Sequence, residues 1–248
     1  MILDEFRLVG EVALLAGRGP GWLTPLAVAL VEAGARVAVA APGDEASLVV
    51  EEVRRRGGEG LALPADLTRP RAAEEALGRA VSELGPVDIL VNAQKQEFGR
   101  PLAELAPEEW QGVLDQNLTA VFLTTRAAGK HMLARRRGKI VNVVSGLGER
   151  GLPNGSAYCA SLGGVVQLTR TLAQEWGRMN VRVNAIGAGW MQEESVPAAG
   201  DPLVSYIPMR RRGSPDDLTP MMVFLASEAS SYMSGYLYFV DGGLNARG

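Results

Sequence analysis

The sequence is poor in the residues that build cross-links and metal centres. Its 248 residues include one cysteine, Cys159, and one histidine, His131. A single cysteine excludes a disulfide within the chain, and together with one histidine it leaves no cluster of zinc-type ligands. Lysine is also scarce, since most basic residues are arginine and lysine occurs only at Lys95, Lys130 and Lys139. We therefore expect no metal site, and few lysines that could replace one missing from a catalytic position.

The sequence also lacks a strong charge of one sign and long apolar runs. Its formal net charge is −3, which is unlike the basic footprint of proteins that bind nucleic acid. No uninterrupted apolar run approaches the roughly 20 residues that span a bilayer. The first residues, Met1–Arg7, do not form a basic segment followed by an apolar one. The sequence therefore predicts a soluble, cytoplasmic protein with neither nucleic acid nor membrane as a partner.

Short strand patterns alternate with longer helical patterns along the chain, as in βαβ units. This predicts an α/β fold, a doubly wound Rossmann-type parallel sheet of about seven strands with helices on both faces. Because no linker, repeat or low-complexity tract interrupts the pattern, we expect a single domain over residues 1–248. The expected strands are Val12–Ala16, Arg36–Ala40, Leu61–Pro64, Asp88–Asn92, Lys139–Val144, Val181–Ile186 and Tyr236–Val240.

The longest predicted helices flank the fifth strand. One covers about Pro107–Arg137, with a break near Asn117, and the other runs from Ser156 to Met179. Ligands of such sheets bind beyond the carboxyl ends of the strands. The residues that fall at those ends are Gly17, Asn92, Ser145 and Gly189.

An ordered series of motifs runs through essentially the whole chain. It begins with a glycine-rich turn at Gly17 and ends with Val240-Asp241-Gly242-Gly243. The series resembles the short-chain dehydrogenase/reductase family, which implies a nicotinamide cofactor and an oxidoreductase activity. The motifs between the two ends are Asp66, Asp88–Asn92, Asn117-Leu118, Ile140–Ser145, Tyr158 and Val183–Ile186.

The phosphate loop of this resemblance is incomplete. The family pattern G-x-x-x-G-x-G provides a tight turn and close approach to the pyrophosphate. Gly17 and Gly21 match it, but the third position holds Leu23. With Asp66 and Asn92, these glycines are the candidate cofactor-binding residues. The alternative is a structural turn that binds nothing.

The residues that would select the adenosine ribose are neutral. Ala41-Pro42-Gly43 follows the second strand, where an acidic residue would bind a ribose hydroxyl and a basic one a 2′-phosphate. Asp44 could substitute or cap the next helix, and Arg18 could reach a phosphate or lie in solvent. If the chain binds a cofactor, the sequence does not choose between NAD(H) and NADP(H).

Two further departures from the family pattern lie at the same cleft. After the fourth strand, Gln94 and Lys95 replace two small residues of the family pattern, and Glu193 stands where the resemblance implies a threonine near the nicotinamide carboxamide. A carboxylate there would oppose binding of the pyrophosphate by like charge. We therefore expect Lys95 and Glu193 to fill the cleft, as an ion pair, and no cofactor to be bound.

The catalytic positions implied by the resemblance are Asn117, Ser145, Tyr158 and the position of Leu162, where a lysine is expected. A free tyrosine has a pKa of about 10, so a neighbouring ammonium favours the phenolate near neutral pH. Residues i and i+4 share a helix face, which would place such a lysine beside Tyr158. Leu162 carries no charge, and general acid or base help is typically worth about 10²–10⁴-fold. Asn117, Ser145 and Tyr158 are therefore expected to be a catalytic remnant.

Two interpretations follow. In the first, the chain is a non-catalytic subunit that assembles, in a tetramer, with an active NAD-dependent paralogue. The family includes such heteromers, one of them a dehydrogenase for 2-[hydroxy(phenyl)methyl]succinyl-CoA. An acyl-CoA substrate in the partner would suit this interpretation, and Arg210–Arg212 could meet a CoA phosphate. In the alternative, the chain is an active but atypical NAD(P)-dependent oxidoreductase in which Ser145 and Tyr158 act without the lysine.

Overall fold

The computed structural model describes residues 1–192 and 201–246 of the chain. Seven parallel strands form one sheet in the order β3-β2-β1-β4-β5-β6-β7. This confirms the predicted α/β fold class, and the strands lie within two residues of the predicted positions. They are β1 (Val12–Gly17), β2 (Arg36–Ala41), β3 (Gly60–Pro64), β4 (Val87–Ala93), β5 (Gly138–Ser145), β6 (Val181–Ala188) and β7 (Leu237–Val240).

Helices connect the strands and cover both faces of the sheet. The strands β1, β2 and β4 are buried almost throughout, so their sequences are continuous apolar runs instead of alternating patterns. The helices are α1 (Pro20–Glu32), α2 (Glu45–Arg55), α3 (Pro70–Leu84), α4 (Pro107–Leu114), α5 (Ala120–Arg135), α6 (Ser156–Trp176) and α7 (Thr219–Ala226).

The long helix predicted over about Pro107–Arg137 is interrupted near Asn117, as expected. One wide turn of π-helix, Asp115–Thr119, separates α4 from α5. Wide turns of this kind bulge a helix outward by one residue and are frequent at functional sites. Here the turn directs the buried Asn117 side chain toward the segment that follows β4.

Two apolar layers hold the helices on the sheet. One packs α1, α2 and α7 against one face, and its largest fully buried side chains include Leu23, Leu26 and Ile89. The other packs α3, α5 and part of α6 against the opposite face. A smaller cluster around Tyr158 and Leu162 joins α6 to the end of β5. These layers fix the strand ends at which the candidate site lies.

Within the described ranges, no helix has the length and apolar character needed to cross a membrane.

Candidate active site

The carboxyl ends of four strands meet at one edge of the sheet. Gly17 at the end of β1 pairs with Ala93 at the end of β4, and Ser145 at the end of β5 pairs with Ala188 at the end of β6. Two of the cavities at this edge contain the candidate residues. A cavity of about 430 Å³ lies over β5 and β6, and a cavity of about 310 Å³ lies over β1 and the end of β3. Gln94 lines both and joins them.

The glycine loop between β1 and α1 fits closely against the sheet. A Cβ placed on Gly17 would lie 2.5 Å from the Ala93 carbonyl oxygen and 2.7 Å from Leu23 Cδ2, so only glycine fits. The Leu23 side chain is 0% exposed and belongs to the core under the loop. Leu23 therefore replaces the family glycine by packing inward, and it lines neither of the two cavities.

The outer side of this loop is open. A Cβ on Gly19 or Gly21 would meet no atom within 4 Å. Gly19 caps the N-terminus of α1 with a φ of 86°, and its backbone N–H donates to the Glu45 carboxylate at 2.6 Å. The N-terminus of a helix favours negative charge. The loop therefore already holds an anionic group, one supplied by the chain itself.

The candidate residues of the smaller cavity are Asp66 and Gln94. Asp66 accepts hydrogen bonds from the Thr68 hydroxyl at 2.6 Å and from Arg69 at 3.0 Å. The Thr68 hydrogen bond, assisted by Arg69, holds the pKa of Asp66 below its ordinary value. Gln94 is buried, and among the described residues nothing accepts a hydrogen bond from its Nε2. A buried unpaired donor between two cavities is a position where a polar ligand atom would be stabilised.

Asn92 lies below this edge, inside the sheet. Its amide donates to Thr125 at 3.0 Å and to Asn142 at 2.8 Å, and its oxygen accepts from Thr124 at 2.6 Å. Asn142 in turn donates to Thr169 at 2.9 Å. The side chain of Asn92 therefore ties β4 and β5 to the helices. Its predicted role in cofactor binding stays a prediction.

Lys95 projects into the larger cavity. Its ammonium lies 4.7 Å from the centre of the Trp22 ring and 3.1 Å from the Glu97 carboxylate. The predicted partner Glu193 lies outside the described residues. Within them, Lys95 belongs to the wall of the cleft through Trp22 and Glu97, an arrangement that the sequence did not indicate.

The catalytic positions lie on both sides of the larger cavity. Ser145 and Tyr158 line it, and Leu162 lies one helical turn after Tyr158 on α6. The Ser145 oxygen accepts from the Leu147 N–H at 3.3 Å, an interaction that does not use the serine hydroxyl proton. Leu162 is 2% exposed and packs in the apolar cluster with Tyr158. The predicted spacing of the pair is therefore realised, with hydrocarbon where an ammonium is expected.

Asn117 lines neither of the two cavities. Its oxygen accepts from the Gln96 N–H at 2.9 Å, and its nitrogen donates to the Gln96 carbonyl at 2.9 Å and to Ser161 at 3.2 Å. The amide thus clamps the backbone beside Lys95. In this structure Asn117 positions one wall of the cavity.

Two arginines of the predicted anion-binding triplet are paired with aspartates. Arg211 donates to Asp217 at 2.6 Å and 3.0 Å. Arg212 lines the larger cavity, donates to Asp201 and lies 3.3 Å from the Met191 carbonyl. The hydrogen bond from Arg212 lowers the pKa of Asp201 below its ordinary value. Arg210–Arg212 therefore offers less free positive charge to a CoA phosphate than the sequence implied.

No group of three or more histidine, cysteine, aspartate or glutamate side chains suited to a metal ion occurs within residues 1–192 and 201–246. The polar groups around both cavities are instead hydroxyls, amides, backbone N–H groups and paired charges. Such a set can bind phosphates and hydroxyls and can move a proton.

Comparison with known proteins gives the site a context. A family model described as enoyl-(acyl carrier protein) reductase matches residues 18–245. The 5-keto-D-gluconate 5-reductase of Escherichia coli is 34% identical, over 97% of this chain and 98% of its own. A 3-oxoacyl-[acyl-carrier-protein] reductase from Synechocystis is 33% identical over 96% and 98%. A gluconate 5-dehydrogenase from Burkholderia cenocepacia has been crystallised in complex with NADP and tartrate. Its sequence is 32% identical over 100% of both chains, and its structure matches with a TM-score of 0.92.

These matches contradict the prediction of a non-catalytic subunit. Each of these relatives is named as a reductase or dehydrogenase, and each matches over nearly its whole length. The structure supplies the physical reason, because the departures that lie within the described residues do not close the cleft. Leu23 is in the core, and the loop at Gly19 and Gly21 opens on free space. The active partner and its acyl-CoA substrate were inferred from that interpretation, and they stay predictions.

Proposed function

Because the chain belongs to the short-chain dehydrogenase/reductase family, we propose that it is an active NAD(P)-dependent oxidoreductase that interconverts a carbonyl and an alcohol. Its proton-transfer groups would be Ser145 and Tyr158, with no lysine at position 162. One observation carries this proposal. Both hydroxyls line a single cavity of about 430 Å³ that adjoins the glycine loop at the carboxyl edge of the sheet.

The residues at this edge fit a nicotinamide dinucleotide. Gly17 and Gly21 would hold its pyrophosphate at the N-terminus of α1, and Asp66 would lie at its adenosine end. The unpaired Gln94 Nε2 would donate to one of its oxygens. When bound, the cofactor would exchange a hydride with the substrate carbon. This supports a nicotinamide cofactor, while the neutral Ala41-Pro42-Gly43 still leaves the choice between NAD and NADP open.

Ser145 and Tyr158 have separate tasks in this proposal. Because the Ser145 oxygen accepts from Leu147, its hydroxyl proton can be donated to the substrate oxygen and orient it. Tyr158 would give its phenolic proton to that oxygen as negative charge develops during reduction, and would take a proton back during oxidation. Packing of Tyr158 among Val144, Leu147 and Val165 would hold its hydroxyl in position for this transfer.

The absence of an ammonium at position 162 affects the two directions of reaction differently. Reduction requires a neutral phenol. Since the pKa of a free tyrosine is about 10, the neutral phenol is its prevailing form at any lower pH. Oxidation requires the phenolate, which a neighbouring cation would favour. We therefore expect a reductase that works near neutral pH and that oxidises alcohols efficiently only in alkaline solution.

The test uses the purified full chain and follows two signals. Fluorescence titration should show binding of NADH or NADPH, and the reduced cofactor should be oxidised when a carbonyl compound is added. Tyr158→Phe should lower the rate by about 10²–10⁴-fold while leaving cofactor binding in place, because it removes only the phenolic hydroxyl that transfers the proton. Ser145→Ala should lower the rate as well. Equal rates for the wild-type chain and Tyr158→Phe, or no binding of either cofactor, would contradict the proposal.

A further inference from the structure

The wall of the larger cavity is mainly hydrocarbon. Apolar side chains surround the space next to Tyr158, and some of them come from segments far apart in the sequence. Hydrocarbon surfaces neither donate nor accept hydrogen bonds, so hydroxyl groups of a ligand placed against them would lose their water partners without replacement. We refer to these side chains as the apolar wall: Phe98, Leu147, Leu152, Leu162, Met191 and Leu203.

The two cations that line the cavity each face a carboxylate of the same chain. Lys95 lies 3.1 Å from Glu97 and stacks on Trp22, and Arg212 donates to Asp201. The Arg212 and Asp201 side chains are 11% and 3% exposed, so their pairing is largely shielded from water. A substrate carboxylate would have to displace Asp201 from Arg212 in shielded surroundings, where charge pairs are hard to break. At Lys95 it would compete with Glu97, whose side chain is 58% exposed.

We propose that the substrate of this site is an uncharged, largely apolar ketone or alcohol, and not a sugar acid. This inference rests on the proposed oxidoreductase function and names its substrate class. The only polar groups it requires are those next to the reacting oxygen, Ser145 and Tyr158, which lie beside the apolar wall. Leu162 contributes to that wall. The leucine that stands in place of the expected lysine therefore also makes this part of the cavity apolar.

The first measurement compares substrates of matched chemistry on the wild-type chain. Reduction of 2-octanone and acetophenone is followed beside reduction of 5-keto-D-gluconate, with NADPH and NADH in turn. We expect kcat/KM for the two apolar ketones to exceed that for the sugar acid by at least about a hundredfold, the scale on which a pocket built for one polarity discriminates against the other. A larger kcat/KM for 5-keto-D-gluconate would overturn the inference and leave the proposed function standing.

The second measurement changes the wall without touching Ser145 or Tyr158. Leu203→Gln and Leu152→Gln each place an amide on the apolar wall, and each should raise KM for 2-octanone by roughly tenfold with little change in kcat. Leu48→Gln is the matched control, because Leu48 is an exposed leucine on α2, outside the cavity. A KM that stays the same in both wall variants would contradict the inference, as would an equal rise in the control.

A third measurement does not depend on turnover. Isothermal titration calorimetry compares binding of 2-octanol and D-gluconate to the full chain, with and without NADP. Saturable binding of 2-octanol alone, weakened by Leu203→Gln, supports the inference even if no carbonyl is reduced, in which case only the proposed function fails. Tighter binding of gluconate, or binding of neither ligand, overturns the inference.

Discussion

At the scale of single residues, Leu162 decides how Tyr158 is used. The two side chains lie one turn apart on α6 and share an apolar cluster, so no charge assists ionisation of the phenol from that position. With leucine at position 162, Tyr158 is firmly packed, and this packing keeps its hydroxyl in the cavity. The residue therefore changes the charge of the site while it preserves the geometry.

Leu162→Lys should shift the pH dependence of alcohol oxidation. An ammonium one helical turn from Tyr158 favours the phenolate, so the rising limb of kcat/KM should move to lower pH and the rate near neutral pH should increase by on the order of 10²-fold. Steady-state kinetics across the pH range provide the measurement. Leu162→Met, which keeps the volume without the charge, is the control and should match the wild-type profile. An unchanged profile in the lysine variant would show that Tyr158 does not transfer the proton.

Glu45 is the second residue whose effect is local and measurable. Its carboxylate accepts a hydrogen bond from the Gly19 N–H, in the loop that would hold the cofactor pyrophosphate. Glu45→Gln keeps a hydrogen-bond acceptor there and removes the charge, so NADPH and NADH should bind about fivefold more tightly, the effect of a like-charge contact worth on the order of 1 kcal/mol. Glu51→Gln, on the same helix but exposed, should leave the Kd unchanged. Weaker binding in Glu45→Gln would mean that the carboxylate helps to hold the cofactor.

At the scale of elements, the packing of α6 against its neighbouring elements positions Tyr158. The wide π turn at Asp115–Thr119 separates α4 from α5 and brings Asn117 to the segment after β4. Farther along α5, Gly129 lies directly against the Trp176 ring at the end of α6. The helix that carries Tyr158 is thus held at one end by its apolar cluster and at the other by the contact of Trp176 with Gly129.

Gly129→Ala should destabilise the protein. A Cβ at this position would lie 2.5 Å from Trp176 Cη2, and the rigid ring must shift or the helices must separate, at a cost of about 1–3 kcal/mol. Gly78→Ala is the matched control, because it lies inside α3 with no atom within 4 Å of its Cβ position and should stabilise by about 0.5–1 kcal/mol. Urea denaturation measures both. A Gly129→Ala variant as stable as Gly78→Ala would show that the two helices have room to adjust.

The elements themselves were largely predictable from the sequence. Buried parallel strands are continuous apolar runs, and the break near Asn117 follows from a helical pattern too long for one ordinary helix. The contacts at the site were less accessible. Glu45 meets Gly19 from 26 residues away, and Lys95 stacks on a tryptophan of another element. Local patterns do not encode such distant contacts, and for the same reason the inward packing of Leu23 could not be foreseen.

At the scale of the whole molecule, the two edges of the sheet have different tasks. The carboxyl edge carries the two cavities of the candidate site, and the amino edge carries a network of charges. Lys139 of β5 is 3% exposed and lies 2.6 Å from Glu11 and 2.9 Å from Glu228. Arg135 pairs with Asp88 at 2.7 Å in the same region. Because the network joins segments distant in sequence at the edge opposite the cavities, changes there should affect stability and spare catalysis.

Two variants of the Glu11–Lys139 pair test this division. Glu11→Ala leaves a buried ammonium with Glu228 as its remaining partner and should destabilise the chain by about 3 kcal/mol, toward the lower end of the range for a broken buried pair. The double variant Glu11→Leu with Lys139→Met replaces both charges by hydrocarbon of similar size, so it should recover much of that loss. Urea denaturation supplies the free energies of unfolding, and carbonyl reduction measured on the folded variants supplies the second signal.

Glu11→Ala should keep the wild-type kcat and KM, because the residue lies before β1, while Ser145 and Tyr158 lie beyond the opposite ends of the strands. A fall in kcat that matches the loss of stability would mean that the amino edge also sets the geometry of the cavity.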